Sequence, residues 1–240
     1  MCRHTAWLGR PRTLQELLVD PAHGLLRQSW EPRAQRYGTV NADGFGVGWF
    51  SDERAEPARY RRAVPMWGDP SFASLAGVVR STCVLAAVRS ATAGTPHDET
   101  ACAPFLLGDV LLSLNGRVDV DAIAHLVPSA PLAALGSTVD SAYVAALVGL
   151  RLAAGEPLAA AVAATVRTVG ELDPAARLNL LATDGRTAAA TAWGDTLVLR
   201  ADERGVLLAS EPGDDEPGWR TVPDRTLVCA APDDVALEDL

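Results

Sequence analysis

The sequence predicts an α+β fold built on antiparallel sheets, and three observations carry that prediction. Runs with strand character open the chain, helical patterns occupy its middle, and strand-like runs return towards the end, an order that a repeating βα unit does not give. The later runs are punctuated by turn pairs, Asp184-Gly185 and Gly194-Asp195, of the kind that reverse a chain between strands. The chain has 240 residues, of which 48% are hydrophobic and 21% charged, so one large domain or two small ones can bury a continuous core.

Taken in order, residues 5–8 suit a short strand, and residues 14–19 suit a helix with Thr13 as N-cap and Glu16 three positions on. Residues 29–41 are polar and turn-rich and predict an exposed loop. In Asp43-Gly44-Phe45-Gly46-Val47-Gly48-Trp49-Phe50 the glycines alternate, so they share one side of an extended segment and something packs closely against that side. Residues 83–88 and 109–114 are apolar runs of strand length, joined by a loop through 92–104. Helical signals over 139–169 break at Gly155-Glu156-Pro157, and strands are expected at 178–183, 187–193, 196–200, 206–210 and 226–230. The acidic, proline-containing stretches 211–224 and 231–240 predict a surface loop and a frayed tail.

Charge and cysteine usage exclude several functions. A net charge of −9 argues against a nucleic-acid or anionic-membrane partner and favours a small molecule. Cys2, Cys83, Cys102 and Cys229 form no CxxC pair and, with four histidines, no zinc spacing, so no metal or cofactor is expected. A reduced, cytoplasmic compartment is the default for such a chain. The start lacks the basic stretch and apolar run of a signal peptide, and the longest apolar stretch, 142–166, is interrupted by Arg151, Glu156 and Pro157.

The chemistry begins at Cys2, directly behind Met1. Removal of Met1 would leave a thiol and an α-amine on one residue, and an amine titrating near ~7.7–8.0 can accept the thiol's proton through a water. The plain alternative is a small residue that merely permits methionine removal. Four further segments bear on the choice. Asn41-Ala42-Asp43-Gly44 and the glycines after it are not a phosphate loop, because a strand and turn follow instead of a helix with a Lys or Ser/Thr ligand. Arg89 ends an apolar strand, where a guanidinium is either solvated or set to hold a carboxylate bidentately. Asn115-Gly116 fits a type I′ hairpin turn, or else an amide side chain and a backbone N–H that together form an oxyanion hole. Asp140, in a helix-start pattern, either favours the helix dipole or faces a substrate ammonium.

In combination these segments resemble the class II (N-terminal cysteine) glutamine amidotransferase family of the Ntn hydrolases. The resemblance spans Cys2 to about Arg200 and rests on Met1-Cys2, Asn41-x-Asp43-Gly44-x-Gly46-x-Gly48-Trp49, Arg89 with Thr92, Asn115-Gly116 and Asp140-Ser141, in that order. It implies a single domain over 1–240 folded as a four-layer αββα sandwich of two antiparallel sheets. It implies that Cys2 attacks a γ-glutamyl amide, that Asn115 and the Gly116 N–H hold the oxyanion, and that Arg89 and Asp140 hold the glutamyl carboxylate and ammonium. Thr92, Asp43 and Gly44 are expected at the substrate as well. Ser90 and Leu114 depart from the Trp and His that many members carry at these positions.

The length, the start Met1-Cys2-Arg3-His4 and the run from Arg36 to Trp49 resemble the family's stand-alone γ-glutamyl hydrolases, which lack a synthase domain. A glutaminase subunit feeding ammonia to a separate chain is the alternative, and a catalytically dead binding module a third. A zwitterionic betaine leaving group would be served by aromatic faces and a basic group, for which Tyr37, Trp30, Trp67, His97 and Arg3 are candidates. Cys83 and Cys229 suit small core positions, Cys102 an exposed loop, and His4 is dispensable as a base if the amine serves.

Overall fold

A computed structural model describes residues 2–92 and 94–240; the expected removal of Met1 concerns a residue outside that range. Two sheets stack face to face, and every strand pairing is antiparallel. The first sheet runs from edge to edge as β11 (Arg220–Thr221), β9 (Val198–Asp202), β10 (Gly205–Ala209), β1 (Arg3–Thr13), β4 (Arg80–Val88), β2 (Phe45–Trp49) and β3 (Ala58–Arg62). The second runs as β13 (Asp234–Asp239), β12 (Thr226–Ala231), β8 (Ala188–Ala192), β7 (Arg177–Thr183), β6 (Val110–Arg117) and β5 (Phe105–Leu107).

Period-two alternation sorts the side chains into layers. Along β1, Ala6 and Leu8 enter the core between the sheets while Trp7 faces outward. That inner core is closed from the second sheet by Leu111, Leu181 and the alanines 188, 190 and 192 of β8. Leu111 is fully buried there, and its truncation to Ala is worth about 2–5 kcal/mol. On the outer side of the second sheet lie α5 (Asp140–Ala153) and α6 (Leu158–Leu172), packed through Ala142, Ala145, Val162 and Val166. The opposite outer layer is thinner. It holds a π-helical turn (Gln15–Val19), α1 (Leu25–Gln28) and α2 (Phe72–Val78), which cover Trp7, Phe45 and Val84. Short helices α3 (Val120–Ile123) and α4 (Ser129–Leu135) lead from β6 into α5.

Several local expectations meet their physical cause. Thr13 and Glu16 form the reciprocal cap: the Glu16 N–H donates to Thr13 Oγ1 at 3.1 Å, and the Thr13 N–H to Glu16 Oε2 at 2.7 Å. The glycine side of β2 is packed tightly, since a Cβ on Gly46 would come within 2.2 Å of the Ala103 carbonyl oxygen and one on Gly48 within 2.6 Å of Leu111. The break at Gly155-Glu156-Pro157 separates α5 from α6.

Other expectations need correction. Residues 231–240 are no frayed tail: β13 pairs with β12 from Thr226↔Asp239 to Ala231↔Asp234, and Val235 and Leu240 pack on the two cores. Its acidity is the mark of a charged, exposed edge strand. Gly194-Asp195 does not close a hairpin, because β8 and β9 lie in different sheets and the turn carries the chain across. Asn115-Gly116 is not a turn either; both residues lie inside β6, paired with Asn179 and Leu178 of β7. Cys102 is fully buried instead of exposed.

Candidate active site

Strand register gathers the predicted residues at one end of the sandwich. Cys2 leads into β1, the central strand of its sheet, and β4 lies beside it with Arg3 opposite Val88. Arg89, one residue beyond β4, therefore stands next to Cys2. Across the sandwich, β6 presents Asn115-Gly116, and Asp140 opens α5 just past the end of β6, where its Oδ2 accepts the Val118 N–H at 3.1 Å. Cys2, Arg89, Thr92, Gly116 and Asp140 line one cleft.

Three predicted residues stand behind that lining. Asp43 accepts the Ala91 N–H at 2.7 Å through Oδ2, and its own N–H donates to the Arg89 carbonyl oxygen at 2.9 Å. Gly44 accepts the Arg89 N–H at 2.7 Å, with φ at +133° and no room for a Cβ against Cys102 Sγ. Together they hold the backbone on both sides of Arg89. Asn115 is fully buried, and its Nδ2 donates to Asp195 Oδ2 at 3.3 Å and to Ser210 Oγ at 3.5 Å.

The cleft's charges are complementary and poorly solvated. Arg89 is 8% exposed, and its guanidinium donates to Thr95 Oγ1 at 3.0 Å and to the Asp43 carbonyl oxygen at 3.5 Å. Among the described residues no carboxylate lies within ion-pair distance of it. Burial holds the Asp140 carboxyl above the usual carboxylate range, against the pull of the Val118 and Ser141 N–H groups and of Arg89. Burial likewise pushes the Cys2 thiol up, against a backbone hydrogen bond at Ser90 and the Arg89 charge. A thiol so placed needs a base to take its proton.

His4 is not that base. It is fully buried between the sheets, its Nδ1 is 2.8 Å from Ser113 Oγ, and burial beside Arg3 lowers its pKa to about 3. Cys83 and Cys102 are inert by burial, pushed up to about 12 and about 11, and Cys229 is half-buried on the far sheet. Among the described residues no His/Cys/Asp/Glu group is arranged to hold a metal ion.

Beneath the thiol lies a buried polar cluster that sequence reasoning missed. Arg3 is fully buried with Nε 4.0 Å from Glu211 Oε2, and donates to Gln35 Oε1 and Thr196 Oγ1, each at 3.4 Å. Glu211, 1% exposed, accepts the Arg33 and Ala34 N–H groups at 2.8 and 2.7 Å and so ties the loop before β2 to the catalytic end. Asn179, opposite Asn115, donates to the Asp195 and Thr196 carbonyl oxygens at 3.1 Å and braces the turn that carries Asp195. The available signal was a lone Asn in the apolar run of β7. Asp195 and Glu211 sat in stretches that composition marks as turn and surface loop.

The leaving-group candidates scatter. Arg3 is internal, and Trp30 and Trp67 form an edge-to-face pair at 5.7 Å away from the cleft lining. His97 is exposed in the loop after Arg89. Tyr37 is 53% exposed, with the Arg177 guanidinium 4.4 Å from its ring centre.

Among solved structures, a glutamine aminotransferase class-II domain protein from Silicibacter pomeroyi is similar over 99% of both chains, with a TM-score of 0.71 at 23% identity. The αββα sandwich is thus the fold of the glutamine amidotransferase class II domains. No protein-family model matches the chain. The sequence is 54% identical over 229 residues to the gamma-glutamyl-hercynylcysteine sulfoxide hydrolase of Mycolicibacterium smegmatis, covering 95% of each chain. It is 48% identical over 228 residues to the protein of the same name from Mycobacterium tuberculosis, covering 95% of this chain and 92% of that one. The chain belongs to the gamma-glutamyl-hercynylcysteine sulfoxide hydrolase family.

Proposed function

We propose that the protein hydrolyses the γ-glutamyl amide of γ-glutamyl-hercynylcysteine sulfoxide to glutamate and hercynylcysteine sulfoxide, in the cytoplasm, as a step of ergothioneine biosynthesis. The observation that carries the reading is the cleft that Cys2 shares with a buried Arg89, which has no ion pair among the described residues, and a desolvated Asp140. That pair matches the carboxylate and ammonium of one glutamyl group, and the identity to hydrolases of that name supplies the leaving group.

With Met1 removed, the Cys2 α-amine takes the thiol proton through a water, and the thiolate attacks the γ-carbonyl carbon. The carbonyl oxygen, now negative, is held by the Gly116 N–H and by the Asn115 Nδ2 hydrogen that it draws away from Ser210, while Asp195, braced by Asn179, keeps the other. Collapse breaks the C–N bond, and the protonated amine passes its proton to the departing nitrogen. A water then attacks the thioester, the α-amine takes its proton, and glutamate leaves as the thiol re-forms.

A product assay on two substrates tests the reading. The sulfoxide conjugate should be cleaved with far higher kcat/KM than free glutamine, and Cys2→Ala should abolish turnover with the melting temperature preserved. Faster turnover of glutamine, or an active Cys2→Ala protein, overturns it. Intact mass of an active preparation should show Met1 absent.

A further inference from the structure

The proposed reaction makes a demand that Arg89 and Asp140 cannot meet. The amine released from a γ-glutamyl-cysteine conjugate belongs to an amino acid, so a carboxylate sits one carbon from the scissile nitrogen. Glutamine releases ammonia and makes no such demand.

The residues of β6 and β7 that face the first sheet come in cross-strand rows: Ser113 with Leu181, Asn115 with Asn179, and Arg117 with Arg177. His4 of β1 meets the first row at Ser113. The second row reaches Ser210, whose Oγ also accepts the His4 N–H at 3.0 Å. Cys2, two residues before His4 and on the same face, therefore stands level with the oxyanion row. The arginine row lies one step further out, where the departing half of a substrate held by Arg89 and Asp140 must pass.

The two arginines divide that position. Arg117 belongs to the glutamyl side, since its charge acts on Asp140. Arg177 lies on the other side, towards β7. Its stem packs against Gly194, where a Cβ would come within 3.1 Å of its Cγ, and its guanidinium lies over Tyr37 in the loop that Glu211 anchors. A guanidinium stacked on one face keeps its N–H groups within the plane, which is the geometry that meets a carboxylate.

We propose that Arg177, braced by Tyr37, binds the α-carboxylate of the departing amino acid and so selects amino-acid leaving groups over ammonia. The inference rests on the reaction proposed above. It is tested on γ-glutamyl-S-methylcysteine sulfoxide and the same amide made from S-methylcysteamine sulfoxide, which differ by that carboxylate alone. The wild-type protein should favour the carboxylate-bearing member, and Arg177→Ala should lower the ratio of the two kcat/KM values about 30-fold, with Arg177→Lys in between. Should the Ala variant not fold, Arg177→Gln takes its place. A wild-type ratio near one, or a ratio unmoved by the substitution, overturns the inference. If the wild-type protein fails to cleave γ-glutamyl-hercynylcysteine sulfoxide itself, the proposed reaction falls first and separately.

Discussion

The two ends of the cleft are built in opposite ways. The end proposed to hold the glutamyl group hangs on regular structure: Arg89 follows β4, Asp140 opens α5, and Gly116 sits within β6, each fixed by register or backbone hydrogen bonds. The end proposed to face the departing amine is a polar loop carrying Tyr37, a strand start at Arg177 and a turn at Gly194-Asp195. Arg89 is 8% exposed and Tyr37 53%. On the proposed reading a constant ligand group is met by buried, desolvated charges on a rigid frame, where each ionic contact is worth most, and the variable part of the substrate by side chains near water that a loop can re-set.

The largest expected effect lies at the rigid end. Arg89→Ala removes the only group proposed for the glutamyl α-carboxylate, so kcat/KM should fall about 100-fold. Because both substrates share the glutamyl group, the fall should be equal for the sulfoxide conjugate and for glutamine. Arg89→Lys should recover little, since an ammonium cannot replace the planar fork. A loss confined to one substrate would break the division between the two ends.

The next effect lies where the loop joins the frame. Glu211 is the acceptor for two loop N–H groups and the nearest counter-charge of the fully buried Arg3. Glu211→Gln leaves that guanidinium with the Asp195 charge but without its ion pair, and one loop N–H without its acceptor. Urea unfolding should show a loss of about 3 kcal/mol. Selectivity between leaving groups should weaken alongside, because the same contact sets where Tyr37 stands. Stability within ~0.5 kcal/mol of the wild-type protein would show that the loop is held by other means.

Legibility in the sequence follows the same division. The residues of the rigid end could be named because the family resemblance tied together motifs in a fixed order, Cys2 before β1, Arg89 after β4, Asn115-Gly116 in β6 and Asp140 at the head of α5, although Asn115-Gly116 alone suits a turn equally well. The runs themselves point only to α+β with antiparallel hairpins, and the four-layer sandwich came with the family resemblance. Asp43 and Gly44 were legible as a motif but not as braces, because their partners, Ala91, Arg89 and Cys102, come from elsewhere in the chain. Arg177 and Asp195 left no local trace, for their place depends on the facing sheet and on a turn between sheets. Strand β13 was masked by acidic composition that marks edge strands and loose tails alike.

The smallest effect tests which protons belong to which end. kcat/KM reports ionisations of the free enzyme. The Cys2 amine must be unprotonated to act, so activity should rise with pH up to about 8. His4, at about 3, contributes no step in that range, and His4→Gln should leave the limb where it is. Asp140 adds a second, lower step. Burial raises its pKa, so as pH falls it takes up a proton earlier than an ordinary aspartate and releases its hold on the substrate ammonium. The acid limb should therefore be steeper at its low-pH end than one ionisation allows, and Asp140→Asn should return it to unit slope at reduced kcat/KM. An unchanged slope in that variant would remove Asp140 from ammonium binding and leave the rigid end with Arg89 alone.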